Sequence, residues 1–459
     1  MRIAGPDALV HHPEDLLVYE CDGFTLEKAI PDAVVHVTAT HQVAEIVKLC
    51  HRERVPFYAR GTGTGLSGGC AATRGGVVIA LNRLNRILEI DARNRIAVVE
   101  AGVINLAVSQ AAALRGCFYA PDPASGQACT IGGNIAENSG GPHCLKHGVT
   151  TTHVVAAEVV LPDGETVWLG GRTEGMPGYD LLGLFIGSEG TLGICTKAVL
   201  RLLPLPEGVR TALAVFDSVD DASQAVSHII AAGIIPVALE MMDKLIIRAV
   251  EESIAFGFPL DAEAVLIVEV DGLEVGLDAT MARIEGICQA NKVREWRRAA
   301  SEEERLKLWT GRKGAFGAVG RLSPSFCTQD GTVPRSRLPE MLRRIAAIGD
   351  RYGLRIANVF HAGDGNLHPL ILFDERDEAQ VARVRLAARD ILTQCVELGG
   401  TITGEHGIGT EKIAEMGLVF GETDLRIMRA IKRLFDPDDL CNPGKVLPRE
   451  AGASTAVAE

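Results

Sequence analysis

Glycine in this chain falls in bursts, at 61–76, 126–148, 164–193, 363–365 and 399–409. There are 50 glycines in 459 residues, above the usual ~7% and without a collagen-like period. A residue with no Cβ reaches positive φ freely and lets backbone approach another group closely, so a burst of glycines marks tight turns or a surface built from bare peptide. Long regular elements cannot run through such segments. The chain is thereby restricted to short strands and helices joined by glycine loops. Apolar runs between the bursts, such as 76–81 and 154–161, read as strands.

Helical spacing recurs at 42–52, 104–115, 220–232, 275–291 and 379–397. Pro204-Leu205-Pro206-Glu207-Gly208 breaks the pattern, and a domain boundary is expected there. Beyond it, strands at 211–216, 237–242 and 265–270 alternate with helices, which predicts an α+β domain on an antiparallel sheet. A polar helical stretch at 301–319, a helix at 339–352 and strands flanking Gly363 follow. Residues 451–459 read as a disordered tail, and no internal repeat is found.

Charge and cysteine usage exclude several classes. With 46 Lys+Arg against 59 Asp+Glu the net charge is −13, which argues against broad nucleic-acid binding. No stretch approaches the ~18 uncharged apolar residues of a membrane helix. Residues 1–7 lack the apolar core of a secretory signal, so the expected location is the cytoplasm. The 11 cysteines are scattered with no Cys-x-x-Cys pair, the pattern of a reducing compartment and not of an iron–sulfur protein.

The first burst carries two motif matches. Gly63-x-Gly65-x-x-Gly68 satisfies the dinucleotide fingerprint and Gly65-x-Ser67-x-Gly69 the nucleophile elbow. Both mechanisms need a helix directly after the loop. Here a strand at 55–59 precedes the loop and another strand at 77–81 follows it. Five glycines in the nine residues 61–69 exceed what a structural turn needs and suit a nest of N–H groups around a phosphate. A second polar loop runs from Pro121-Asp122 through Thr130 to Gly141, and a third spans Gly187–Ile194.

The three loops together resemble the flavin-binding domain of the vanillyl-alcohol oxidase and p-cresol methylhydroxylase superfamily. The resemblance runs from about Asp32 to Leu447 and is strongest to the FAD-linked 2-hydroxy-acid dehydrogenases. That group includes the D-lactate and D-2-hydroxyglutarate dehydrogenases and the D subunit of glycolate oxidase. Leu308-Trp309-x-x-Arg312-Lys313, Asp330-Gly331-Thr332-Val333-Pro334-Arg335 and Ala357-Asn358-Val359-Phe360-His361 look most like the last of these.

The resemblance implies an α+β protein. A two-subdomain FAD-binding domain of the p-cresol methylhydroxylase type is expected at 1–205, and a cap domain with a ferredoxin-like antiparallel sheet at 206–420. Residues 421–450 would return to the FAD domain. FAD would be held by Arg60, Gly61, Thr62, Gly63, Thr64, Gly65 and Leu66 of the first loop, and by Pro121, Asp122, Thr130, Gly132, Gly133, Asn134, Asn138, Ser139, Gly140 and Gly148 of the second. Glu189, Gly190, Ile194 and Asn442 complete the set. Thr64 stands where some relatives carry a flavin-linking histidine, and Cys129 is out of register with a linking cysteine, so non-covalent FAD is implied. The chain departs from the family pattern at 170–180 and at Cys441.

His361-Ala362-Gly363-Asp364-Gly365-Asn366-Leu367-His368 reads as a hairpin with turn chemistry at Asp364-Gly365-Asn366. A four-residue loop at 363–366 would pair His361 with His368, and two imidazoles so placed can grip a metal. Buried histidines bonded to backbone are the plain alternative. Glu405 and His406 are adjacent, so in an extended segment one would ligate while the other faced substrate.

The resemblance implies His361, His368 and Glu405 as metal ligands and His406 as catalytic base. Two His and a carboxylate suit zinc, with manganese and iron(II) also compatible. Arg312, and as a second candidate Arg335, would bind the carboxylate of a small 2-hydroxy acid, although Arg312 sits in a charge-rich helix whose plain reading is a solvated face. A second flavin-domain subunit and an iron–sulfur subunit are the implied partners, with peripheral attachment to the inner face of the membrane through them. The expected activity is oxidation of glycolate or D-lactate to the 2-oxo acid. The alternatives are a stand-alone D-lactate or D-2-hydroxyglutarate dehydrogenase, a zinc hydrolase and an inactive flavin-binding subunit.

Overall fold

The computed structural model describes residues 2–449 apart from 174, 176 and 254. The expected tail at 451–459 and part of the divergent segment at 170–180 therefore lie outside the described residues. The N-terminal part contains two sheets. Ala33–His36, Val77–Ala80 and Phe57–Arg60 pair in parallel, and the short strand Leu9–Val10 adds antiparallel to the first of them. Parallel pairing needs a crossover. The helix Thr40–Glu53 supplies it, burying Val43, Ile46, Val47 and Cys50 against Phe57 and Ile79.

The second sheet is antiparallel, in the order Ile87–Asp91, Ile96–Glu100, Ile194–Arg201, Val154–Val160, Thr166–Gly170. The chain re-enters the first sheet at its end. Phe57 N–H donates to Leu440 O and Asn442 N–H donates to Phe57 O, at 2.9 and 2.8 Å. The helix Glu422–Phe435 before it packs Ile431 and Phe435 on the core of the second sheet.

The cap is built on a seven-stranded antiparallel sheet. Its first four strands run Glu295–Arg298, Gly208–Phe216, Ala264–Gly272, Ala238–Asp243. In chain order that is 4-1-3-2, the ferredoxin-like arrangement expected from the strand–helix alternation. Helices Val219–Ala231 and Leu277–Ala290 cover one face. Arg355–His361, Asn366–Phe373 and Ser325–Thr328 extend the sheet, with helices Leu338–Tyr352 and Glu378–Glu397 on the same face. Helices Lys244–Ser253, Glu302–Lys313 and Ala315–Val319 cover the opposite face.

Four local expectations need correction. The polar stretch at 301–319 is two helices broken at Gly314. The second glycine loop contains a short helix, Ile131–Glu137, whose N-cap Thr130 accepts from Gly133 N–H. The histidine hairpin pairs His361 with Asn366 and Val359 with His368, not His361 with His368. The turn is Ala362–Gly365, because Gly365 N–H closes on His361 O at 3.2 Å and Asp364 Oδ1 accepts from Asn366 N–H at 3.1 Å. His361 and His368 are nonetheless diagonal neighbours on one face. Finally, 401–409 is a bent loop, so the alternation assumed for Glu405 and His406 does not apply.

Candidate active site

One cleft runs from the glycine loops of the first domain to the cap-domain hairpin, with a volume of about 470 Å³. Gly61, Gly63, Thr64, Gly65 and Leu66 of the first loop border it, as do Thr130, Gly133, Asn134, Ser139 and Gly140 of the second. Glu189, Gly190 and Asn442 border it too. Bare backbone is required here: a Cβ on Gly140 would lie 2.6 Å from Glu405 Oε2. Two buried acceptors that border the cleft, Glu137 Oε2 and Asn442 Oδ1, have no hydrogen-bond partner among the described residues. A polar cradle of bare peptide with free acceptors fits a flavin dinucleotide.

Other residues expected to bind FAD serve the walls. Arg60 donates to Cys70 Sγ at 3.0 Å and lies over the Tyr19 ring. Thr62 donates to Ala128 O, and Pro121 O accepts from Asn105 Nδ2. Gly132 N–H donates to Ala101 O. Asn138 is the left-handed cap of its helix, Gly148 closes the helix Cys144–His147, and Ile194 pairs with Val160. Asp122 lies 3.0 Å from His143 Nδ1 of its own domain and 3.2 Å from Lys313 Nζ of the cap. Burial holds the thiols of Cys70 and Cys129, both bordering the cleft, above their usual range, Cys70 at about 12. Neither is a ready nucleophile toward a flavin.

At the cap end of the cleft the expected constellation comes together. His361 Nε2 and His368 Nε2 lie 3.3 and 3.1 Å from Glu405 Oε1. The rings of the two histidines stand edge to face, 5.0 Å apart. A tetrahedral zinc with bonds of ~2.0–2.1 Å separates its ligand atoms by about 3.3 Å, so the donor spacing fits a divalent metal. Although burial works to raise it, His361 and His368 hold the Glu405 carboxyl well below its usual range.

A second overlapping group, Asp330, His368 and His406, has similar spacing. Asp330 is already engaged. Its Oδ2 accepts from Thr403 Oγ1 at 2.5 Å, from Gly404 N–H at 3.1 Å, from Glu405 N–H at 3.2 Å and from His406 N–H at 2.8 Å. The fully buried Lys412 ammonium lies 3.5 Å from it. Against the penalty of burial, His406, Lys412 and His368 keep the Asp330 carboxyl ionised, at about 2. Asp330 therefore builds the turn that presents Glu405 and His406.

His406 is stacked on His368, ring centroids 4.9 Å apart, and its Nε2 lies 3.8 Å from Glu405 Oε1. The two neighbours thus face one cluster. Burial pushes His406 down to about 4, so the imidazole is neutral and can accept a proton near pH 7. Its Nδ1 has no hydrogen-bond partner among the described residues.

Arg312 is 1% exposed, so the solvated-face alternative does not hold. It borders the cleft and pairs with Glu240 at 2.5 Å, while its Nε has no hydrogen-bond partner among the described residues. Arg335 does not border the cleft; it donates to Gly363 O at 3.0 Å and braces the hairpin turn.

Glu240 was not read from the sequence. It accepts from His361 Nδ1 at 2.8 Å while facing Arg312, and so sets the His361 tautomer and orientation. The available signal was an acid between the apolar Leu239 and Met241, both buried, in the strand Ala238–Asp243, which demands a buried partner. Asp330, Lys412, Phe316 and Phe326 were likewise given no role.

Comparison with known proteins agrees with this architecture. The model of the FAD-linked oxidases' C-terminal domain matches residues 205–446, and that of an FAD-binding domain matches 31–170. The chain belongs to the FAD-linked oxidase family: it is an FAD-dependent oxidoreductase of CH–OH donors. It is 49% identical over 440 residues to glycolate oxidase subunit GlcD of Escherichia coli K12, covering 96% of this chain and 88% of that one. It is 41% identical to the Bacillus subtilis subunit of the same name, covering 98% and 96%. With a D-lactate dehydrogenase of Anaerostipes hadrus it shares 34% identity, covering 91% and 90%. Among solved structures, p-cresol methylhydroxylase superposes with a TM-score of 0.82 at 18% identity, covering 97% of this chain and 94% of that one. That likeness shows the fold. Family membership removes the hydrolase alternative.

Proposed function

We propose that this chain oxidises a small 2-hydroxy acid, glycolate or D-lactate, to the 2-oxo acid as the catalytic flavoprotein subunit of a glycolate oxidase. The observation that carries this is the convergence of His361, His368, Glu405, neutral His406 and buried Arg312 at one end of the FAD cleft. FAD, held without a covalent bond by the glycine loops, would supply the two-electron acceptor for the hydride leaving the α-carbon. A divalent metal on His361, His368 and Glu405, zinc foremost with manganese and iron(II) compatible, would supply a Lewis acid toward the substrate hydroxyl.

The chain's own residues do the rest. Arg312 orients the substrate through its carboxylate. His406 takes the hydroxyl proton as the carbonyl forms. Glu240 and Asp330 keep His361 and the 405–406 turn in place. The electrons then need a route out. All 11 cysteines are free, and no described group able to hold a metal includes one. A second flavin-domain subunit and an iron–sulfur subunit are the proposed partners. No helix of the described residues is long and apolar enough to cross a membrane, so contact with its inner face would come through them.

A stand-alone D-lactate dehydrogenase is the second reading, favoured by the relatives of that name. An anaerobic panel of glycolate, D-lactate, D-malate and D-2-hydroxyglutarate, followed by bleaching of flavin absorbance, tests the reaction. No bleaching by any of them contradicts it. Copurification of partner subunits separates the two readings.

A further inference from the structure

Two phenylalanines border the cleft, and one of them, Phe316, stands beside the histidine cluster. We propose that this wall confines the enzyme to monocarboxylic 2-hydroxy acids with no α-substituent or a short apolar one, and excludes dicarboxylic ones. The inference rests on the 2-hydroxy-acid reading above and narrows its substrate class. Phe316 and Phe326 both border the cleft, and the Phe316 ring centroid lies 6.0 Å from that of His368. Both rings are partly buried and pack on the apolar cluster formed by the sheet and the helix Ala315–Val319, which backs them.

The charge available at the site points the same way. Among the described residues, the Lys and Arg side chains bordering the cleft are Arg312 and Lys313. Arg312, with a free Nε, can take one carboxylate. Lys313 already faces Asp122 at 3.2 Å. Arg335 is committed to Gly363 O and stands outside the lining. Of the other charged neighbours of the cluster, Glu240, Glu405 and Asp330 are anions, and the Lys412 ammonium faces Asp330 at 3.5 Å and stands outside the lining.

A second carboxylate would therefore be desolvated against phenyl rings or carboxylates with no cation to meet it, and burying an unpaired charge is strongly unfavourable. A hydrogen or a methyl group meets no such penalty, and the methyl group gains by leaving water.

The test is kcat/KM of the holoenzyme with a dye acceptor, for glycolate, D-lactate, D-2-hydroxybutyrate, D-2-hydroxyhexanoate, D-malate and D-2-hydroxyglutarate. It is paired with dissociation constants for pyruvate and 2-oxoglutarate read from perturbation of the flavin spectrum. The short monocarboxylates should exceed the dicarboxylates by at least about 100-fold, and pyruvate should bind more tightly than 2-oxoglutarate. Phe316→Ala should raise D-2-hydroxyhexanoate about tenfold and leave D-malate unchanged, whereas Phe316→Arg should raise D-malate. If the Phe316 variants lose FAD, Phe326→Ala and Phe326→Arg carry the same contrast.

A wild-type enzyme that handles D-malate or D-2-hydroxyglutarate within tenfold of D-lactate overturns the wall and leaves the 2-hydroxy-acid reading intact. An enzyme whose flavin no 2-hydroxy acid reduces overturns both.

Discussion

Glu240 offers the sharpest test of how this site is held. Its carboxylate has no exposed side-chain surface, and neither does more than 1% of the Arg312 side chain it faces at 2.5 Å. The same carboxylate accepts from His361 Nδ1 at 2.8 and 2.9 Å. Glu240→Gln keeps shape and one acceptor for His361 but leaves the Arg312 charge buried without its counter-ion. Breaking a buried pair from one side costs about 3–5 kcal/mol. At ~2–4 °C per kcal/mol for a domain of this size, the unfolding midpoint should fall by about 6–20 °C.

Arg312→Gln leaves the opposite charge stranded and should cost a similar amount. The double variant removes both charges, so it should be more stable than the sum of the two losses implies, by at least about 2 kcal/mol. The assay is a double-mutant cycle on the FAD-loaded protein by thermal and guanidinium unfolding, with metal content measured alongside. Losses that add to within about 0.5 kcal/mol would mean the two residues do not form the pair that orients His361.

Three further outcomes follow from the same geometry. Asp122 is held at about 2 and His143 at about 10; burial opposes both shifts, and their mutual attraction outweighs it. The Asp122 contribution is present above its unfolded value of ~3.9 and lost as pH falls through about 2. The His143 contribution is present below ~6.5 and lost as pH rises through about 10. His143→Gln should therefore flatten the decline of the unfolding midpoint between pH 7 and 10. An unchanged slope counts against this pairing.

Asp330→Asn strips charge from the acceptor of the 404–406 amides and strands Lys412. Flavin reduction should slow by at least about 100-fold with FAD still bound, measured by stopped-flow absorbance. Gly140→Ala pushes a methyl group toward Glu405 Oε2 and should cost about 1–3 kcal/mol of stability, together with bound metal by elemental analysis.

The residues gathered at the cap end of the cleft were legible because their types are rare and their spacing is local. The pair His361 and His368 shares a hairpin, and Glu405 and His406 are adjacent between Gly404 and Gly407. The cap sheet was legible because strand and helix periods alternate cleanly through 208–298. What stayed hidden depends on contacts distant in sequence. Glu240 reaches His361 across 121 positions, and Asp330 reaches His406 across 76. No periodicity records such a pairing; only the cost of burying an acid between apolar strand neighbours hints at it.

The hairpin register was misread because the pairing was assumed to close around Gly363–Asn366. The Asp364 carboxylate instead caps Asn366 N–H and moves the turn back by one residue. Arg335 looked like a substrate cation because its hydrogen bond to Gly363 O is invisible until the hairpin is folded against it.

The central claim is that His406 removes the proton of a 2-hydroxy acid beside bound flavin. Anaerobic stopped-flow mixing of wild type and His406→Ala with D-lactate and glycolate tests it most directly. The account predicts rapid bleaching of the wild-type flavin, and bleaching slowed by at least about 100-fold in a variant that retains its FAD and metal. Equal bleaching rates in the two proteins would contradict it.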